Sequence, residues 1–396
     1  MQMKSNVFQR QGLILILLSM VGLMLTACGG GGGGDSGTAS TPTGTPGTTV
    51  ATGPGGTNAT GQTGYSLYVQ EGAVTQSGST ISSVMNSVLD YASFGTTATT
   101  PYNASSSSFY YNDMVSDAAG NLWAAQDSIS SGTSTAIVKF PGAKTNPATL
   151  TPTSVITLPA NVLVSSMVFD NSGNLWVDQD NTNDTGASIV EYTAASSFAS
   201  TSTTITYSTA GGVSGCSHAN LAVPPSGTTY AGNLYAYEAF NSAGQCGKKM
   251  VGYNASGADV GISAAMVTTN WYSNQNPLAV DPTGNIWVAS ASVACSGCTS
   301  VTATLKEYSS DTINGALLQT INIPGNPSGL GGENGAAPVF DYKGNLWFTT
   351  STGNICNSGT TNSIYELPVG TTTPVLAYAS SGSCNPFFGV AVTPVL

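Results

Sequence analysis

Few side chains in this sequence are equipped for acid–base or nucleophilic chemistry. His218, in Cys216-Ser-His218-Ala219, is the single histidine of the chain. With Glu238 or Glu333 it could form an acid–base pair, provided the fold brings them within hydrogen-bond reach. A lone histidine serves structure more often than catalysis, and no Gly-x-Ser-x-Gly elbow or His-Glu-x-x-His pair accompanies it. Seven cysteines are present, and six follow Cys28. An even set suits disulfides in an oxidising compartment. The expected bridges are Cys216 with Cys246, Cys356 with Cys384, and the local pair Cys295 with Cys298. A redox role for the Cys295-Ser-Gly-Cys298 pair is disfavoured, because no βαβ pattern surrounds it.

Polar side chains capable of holding a ligand recur at fixed places, and a repeat explains why. Asp117-Ala-Ala-Gly-Asn-Leu-Trp123 returns as Asp170-Asn-Ser-Gly-Asn-Leu-Trp176, Asp281-Pro-Thr-Gly-Asn-Ile-Trp287 and Asp341-Tyr-Lys-Gly-Asn-Leu-Trp347. Degraded copies end at Tyr68 and Tyr235. Aromatic positions 68, 123, 176, 235, 287 and 347 are 55, 53, 59, 52 and 60 residues apart. Six copies at that period suit a radial array of four-stranded blades. In each, an apolar run such as Met167-Val168-Phe169 is an inner strand. Asp-x-x-Gly-Asn is then a tight turn: Asp folds onto backbone amides and Gly supplies positive φ. The Leu-Trp strand follows, then a third strand such as Ser188-Ile-Val-Glu-Tyr192, then a looser outer strand.

The chain ends on Phe387-Phe-Gly-Val-Ala-Val-Thr393, which matches an inner strand without its turn and Trp strand. Those missing parts stand at the start of the domain, in Gly64 to Tyr68. The expected fold is therefore all-β, a six-bladed β-propeller over residues 64–396. Its ring closes by pairing the C-terminal strand with the N-terminal blade, which leaves few exposed edges.

This grammar resembles that of NHL-type propellers and their virginiamycin-B-lyase-like and gluconolactonase-like relatives, over Tyr65 to Leu396. The resemblance implies the fold, with the repeated Asp, Gly and Trp in structural roles. It also allows a divalent metal at the channel mouth, as lyase-like and lactonase-like relatives use. None of their catalytic sets maps onto this chain residue by residue.

In such a fold the loops leading into inner strands and the loops after Trp strands share one face. Asn112, Asp113, Ser165, Ser166, His218, Asn276, Glu333, Asn334 and Asn385 lie just before inner strands. Glu71, Gln126, Gln179, Glu238, Ser290 and Thr350 lie three residues beyond each aromatic. These two sets should ring the mouth of the central channel. The ligand or metal candidates are Glu71, Asn112, Asp113, Gln126, Gln179, Asn276, Glu333, Asn334 and Asn385. Oxygen-rich rings of this kind suit Ca²⁺ or Mg²⁺, although Asn and Asp also favour loops for backbone reasons alone.

Ahead of the repeat, Lys4 and Arg10 precede the apolar run Gly12–Leu25. That is a charged n-region and a short h-region, too short to span a bilayer. It ends at Leu25-Thr-Ala-Cys28-Gly29, which resembles the bacterial lipobox. Residues 1–27 are expected to be a lipoprotein signal peptide and Cys28 the lipidated N-terminus, giving a membrane anchor. Gly29, where Asp would imply inner-membrane retention, points to the outer membrane. Residues 28–63 carry Asp35 as their one charge and no aromatic residue. That composition reads as a disordered Gly/Ser/Thr tether.

The chain carries 8 Lys and Arg against 19 acids, a net charge of −11. Removing the signal leaves lysines alone as cations. No basic stripe can form, which excludes nucleic acid as a partner, and no Arg fork remains to clamp phosphate. The sequence thus supports a cell-envelope lipoprotein whose propeller binds a protein or glycan, rather than an enzyme. The alternative is a divalent-metal-dependent lyase or lactone hydrolase acting at the channel mouth.

Overall fold

A computed structural model of the chain describes residues 66–77, 80–92, 98–142, 150–181, 187–206, 219–242, 245–268, 278–293, 301–309, 315–323, 329–330, 338–341, 343–352, 361–380 and 387–393. These residues form an all-β, six-bladed propeller with one short 3₁₀ turn at Ala194–Ser196. Blade 1 contains β1 (Ser66–Ser77), β2 (Thr80–Ala92) and β3 (Thr99–Ser106). Blade 2 contains β4 (Phe109–Ser116), β5 (Leu122–Ser128), β6 (Ser134–Phe140) and β7 (Thr153–Thr157). Blade 3 contains β8 (Val162–Phe169), β9 (Leu175–Asn181), β10 (Ala187–Tyr192) and β11 (Thr201–Thr206). Blade 4 contains β12 (Ala219–Ala222), β13 (Leu234–Ser242), β14 (Gln245–Tyr253) and β15 (Asp259–Thr268). Blade 5 contains β16 (Leu278–Val280), β17 (Ile286–Val293), β18 (Val301–Tyr308) and β19 (Leu317–Asn322). Blade 6 contains β20 (Gly329–Leu330), β21 (Val339–Phe340), β22 (Leu346–Thr352), β23 (Thr361–Leu367) and β24 (Val375–Ser380). The last strand, β25 (Phe387–Thr393), is the inner strand of blade 1.

Closure takes the expected form. β25 pairs antiparallel with β1 from Ser66↔Thr393 to Glu71↔Phe387. The inner strands β4, β8, β12, β16, β21 and β25 contact one another in sequence around the channel and back to β4. In blades 2 to 6 the chain turns from inner to second strand at the Asp box or its relic, so these turns share one face, here the turn face, where β25 ends and β1 begins. The opposite face, where inner strands begin and second strands end, is the mouth.

Six apolar clusters hold the ring together, one in each seam between neighbouring blades. Trp123 packs with Ile137 and Ile156 of its own blade and with Val164, Met167 and Val177 of the next. Trp176 meets Leu221, Leu234 and Val251 in the same way, and Trp287 meets Leu346, Phe348 and Leu367. Trp347 reaches Leu67, Val69, Val390 and Val392. Tyr68 and Tyr235 fill the seams after the degraded copies. Residues one position away face the opposite seam, as the period-2 side-chain alternation of a strand demands.

Two details depart from the sequence reading. Asn112 and Asp113 lie within β4, and Ser165 and Ser166 within β8, rather than ahead of those strands. A bulge at each site breaks the alternation, between Asn112 and Met114 and between Val164 and Ser166. The apolar run therefore reads as a whole strand although pairing continues past the bulge. In blade 6 the same place is enlarged. Leu330 pairs with Thr350 and Val339 with Trp347, so eight residues of the chain separate two inner-strand positions whose partners are three apart. Glu333 and Asn334 lie outside the described residues.

Candidate functional site

The turn box is structural, and its geometry shows why three residue types recur. The Asp carboxylate accepts the backbone N–H of the Asn four residues on, at 2.9 Å in Asp117, Asp170, Asp281 and Asp341. Its second oxygen accepts the Trp indole N–H, at 2.9 Å for Trp123, 3.2 Å for Trp176 and 3.1 Å for Trp287 and Trp347. Gly173 sits at φ 82°, which an L side chain would strain. The Asn side chain ties this hairpin to the next one. Asn121 Oδ1 accepts Gly142 N–H at 3.0 Å, Asn174 Oδ1 accepts Ala194 N–H at 3.1 Å, and Asn345 Oδ1 accepts Val369 N–H at 3.0 Å. Asn174 and Asn285 also donate to Glu191 and Glu307, the acids facing the Trp on the third strand, at 2.9 and 2.8 Å. The sequence reading found the Asp fold-back and missed this wider network. Its signal was present: a charged residue, Lys139, Glu191, Glu307 or Glu366, stands opposite each Trp.

The mouth side is different in character. Of the nine residues expected to ring it, Glu71, Asn112, Asp113, Gln126 and Gln179 are described; Asn276, Glu333, Asn334 and Asn385 lie outside the described residues. Asn112 and Asp113 bond across a seam, whereas Gln126 and Gln179 bond within their own blades. Asn112 donates to Val164 O at 3.4 Å across the seam and accepts the Asp113 N–H at 3.0 Å. Asp113 accepts the Met167 N–H of the next blade at 2.7 Å. Burial pushes its carboxyl up to about 7, although the Met167 and Met114 N–H groups favour the ionised form. Gln179 donates to the Tyr192 hydroxyl at 2.7 Å, and Gln126 donates to Thr135 at 3.3 Å. Glu71 sits near Tyr91, whose hydroxyl is pushed up to about 12 by burial and then by the Glu71 charge.

Further stitches were not anticipated. Ser134 accepts the Val164 N–H at 2.7 Å and donates to Asp127 at 2.5 Å. One seam earlier, Asn86 accepts the Tyr111 N–H at 3.1 Å in the equivalent place. Ser166 accepts the Leu221 N–H at 3.1 Å. Nothing in local composition distinguishes these residues from ordinary strand polars; only the register across the seam does.

Among the described residues, three uncharged side chains on this side have buried polar atoms without a protein partner. Gln70 is 2% exposed with neither amide atom bonded, Thr349 is 2% exposed with its hydroxyl unbonded, and Asn220 is 6% exposed with its carbonyl oxygen unbonded. An unmatched buried polar group costs on the order of 1–3 kcal/mol. The described lysine side chains, Lys139, Lys306 and Lys343, all lie toward the turn face; Lys139 is 3.7 Å from Asp117.

His218, Cys216, Cys295, Cys298, Cys356 and Cys384 lie outside the described residues, as do Cys28 and the whole signal and tether region. Glu238 pairs with Ala219 and Lys249 on strand backbones. Cys246 lies on β14, opposite Asn241, and its expected partner Cys216 is outside the described residues. The β13–β14 hairpin is long, so pairing runs to within two residues of the turn. Among the described residues no three His, Cys, Asp or Glu side chains come together as a metal centre.

No family model and no curated protein matches this sequence. Solved structures share its architecture. A protein of unknown function from Bacteroides caccae is 10% identical, with a TM-score of 0.50 over 82% of this chain and 99% of that one. A protein from Lactobacillus plantarum is 12% identical, with a TM-score of 0.45 over 83% of this chain and 100% of that one. A streptogramin B lyase is 13% identical, with a TM-score of 0.37 over 67% of each chain. At such identities the likeness concerns the fold, so the site must be judged on its own residues.

Proposed function

We propose that this chain is an exported, lipid-anchored propeller that binds a protein or glycan at its mouth and does no chemistry on it. The observation that carries this reading is the contrast between the two faces. On the turn face the Asp-box groups of blades 2, 3, 5 and 6 are matched to one another by a repeated network, and the one buried side-chain atom left over there among the described residues is Asp90 Oδ1. On the mouth side Gln70, Asn220 and Thr349 keep uncharged hydrogen-bonding capacity that no protein group uses. Ligand sites combine such placed polar groups with apolar walls, and the seams supply the walls.

A photoreactive residue at Ser130, exposed between β5 and β6 on the mouth side, should capture a partner in intact cells. The same probe at Ser172, exposed on the turn face, should not. Equal capture from both, or none from either, would remove the mouth-binding reading. Lipidation is tested separately: labelled palmitate should enter the wild-type protein and not Cys28→Ser. Thermal unfolding of the mature chain in EDTA, then with Ca²⁺ or Mg²⁺, tests the metal-enzyme alternative. Saturation at about 100 times the dissociation constant would add roughly 2.7 kcal/mol, and a cation-specific rise would bring lyase or lactonase chemistry forward.

A further inference from the structure

Two successive seams carry the same junction with different chemistry. In each, the residue before an inner-strand anchor reaches across and accepts the next anchor's backbone N–H. Ser166 does this for Leu221 at 3.1 Å, and Asp113 does it for Met167 at 2.7 Å. The positions correspond: Met114, Met167 and Leu221 each pair with the residue just after the second-strand aromatic. A neutral hydroxyl is therefore sufficient for the junction, and the carboxylate of Asp113 is surplus to it.

That surplus is costly. Asp113 is 4% exposed and occupies a bulge at φ 51°, left-handed backbone that a side chain adopts only when its surroundings impose it. The Asn112 carbonyl oxygen fixes its N–H at 3.0 Å. Among the described residues its neighbours bring no cation, and only the Met167 and Met114 N–H groups favour the ionised form, less strongly than burial opposes it. β4 contributes Tyr111 and Met114, β5 contributes Asp127, β6 contributes Ser134, and β8 contributes Val164, Ser166 and Met167. On the other side of β4, blade 1 presents Gln70 and Asn86. Glu71 sits beside Tyr91 in the closing seam, and Lys139 pairs with Asp117 at the far end of the blade. A buried carboxylate without a cation favours its neutral form.

We propose that Asp113 is a proton-operated latch between blades 2 and 3: protonated, it holds the seam as Ser166 holds the next one, and ionised, it loosens the inner wall of the channel there. The Ser166 hydroxyl does not titrate in this range, so the third seam serves as a control within the same molecule, with Asp178→Asn removing the carboxyl that pairs opposite Ser166.

Hydrogen exchange of the mature chain at pH 5.5 and pH 8.0, corrected for the intrinsic rate, tests this. In the wild type, opening of amides in 111–116 and 164–167 should be at least tenfold more frequent at pH 8.0. The Leu221 amide should show no such change. Asp113→Ser, which copies the Ser166 junction, and Asp113→Asn should exchange equally at both pH values in the 111–116 segment. Glu366→Gln, far away on the turn side, should leave the wild-type pattern intact. The proposal is overturned by a wild-type seam that opens equally at both pH values, by an equal change at Leu221, or by a pH dependence surviving in either Asp113 variant. If the variants fail to fold, the comparison of the two wild-type seams still decides.

Discussion

Trp176 contributes to this fold twice, through its ring in the seam and through an indole N–H given to Asp170 at 3.2 Å. Asp170→Ala should cost roughly 2–3 kcal/mol, because it strands the Trp176 indole and the Asn174 backbone N–H together. Urea unfolding of Asp170→Ala, Trp176→Phe and the double variant should show strong coupling, with the double variant well short of the summed losses. Additive losses would mean that the two residues act independently. Glu366, opposite Trp347, is 3% exposed. Its carboxyl is pushed up to about 7 by burial and then by the Asp341 charge, with Lys343 opposing. A folded value above the unfolded one means that the native state binds the extra proton, so stability falls as pH rises from about 4 to 7. Glu366→Gln should therefore gain Tm on the wild type at pH 8 and lose that advantage by pH 5; a constant difference across the range would contradict the assignment. At this scale the sequence was partly legible. Asp, Gly and Trp announced themselves by spacing, whereas Ser134 and Asn86 act through neighbours about 25 to 30 residues away and carry no local sign.

The strands were legible wherever apolar alternation stayed unbroken. β5, β9, β17 and β22 begin one residue before their Trp, as the repeat implies. Inner strands were less so, because the bulges at Asp113 and Ser165 interrupt the period and hide the half nearer the mouth. Asn112 and Asp113 sit there, which explains why they were read as residues ahead of the strand. Ring closure makes the sharpest prediction for an element. β25 supplies Val390 and Val392 to the seam with Trp347, and Ala391 to the seam with Tyr68. Deleting residues 387–396 should strip two seams at once and expose the edge of β1. The truncated chain is expected to aggregate or to lose its cooperative transition by circular dichroism and size exclusion. A monomer with wild-type Tm would show that the ring does not depend on closure.

Over the whole molecule, stability is distributed among six apolar seams, each shared by two blades, so no blade can be lost without exposing both neighbours. Calorimetry should give one endotherm, and Trp123→Ala and Trp287→Ala, each costing about 3–5 kcal/mol, should lower its midpoint without splitting it. Two separate endotherms would mean that blades unfold in groups. Fold class and blade count were legible because a repeat near 55 residues multiplies a weak local signal six times. The mouth was not, because each blade decorates it differently. The pairing of β1 between β2 and β25 also has a mechanical consequence. A pull on the chain ahead of Ser66 acts along β1, which is hydrogen-bonded on both edges by antiparallel partners, six residue pairs deep on the β25 side and twelve on the β2 side. Such a load must shear both ladders together instead of peeling one bond at a time, so the first strand of the domain resists being drawn out.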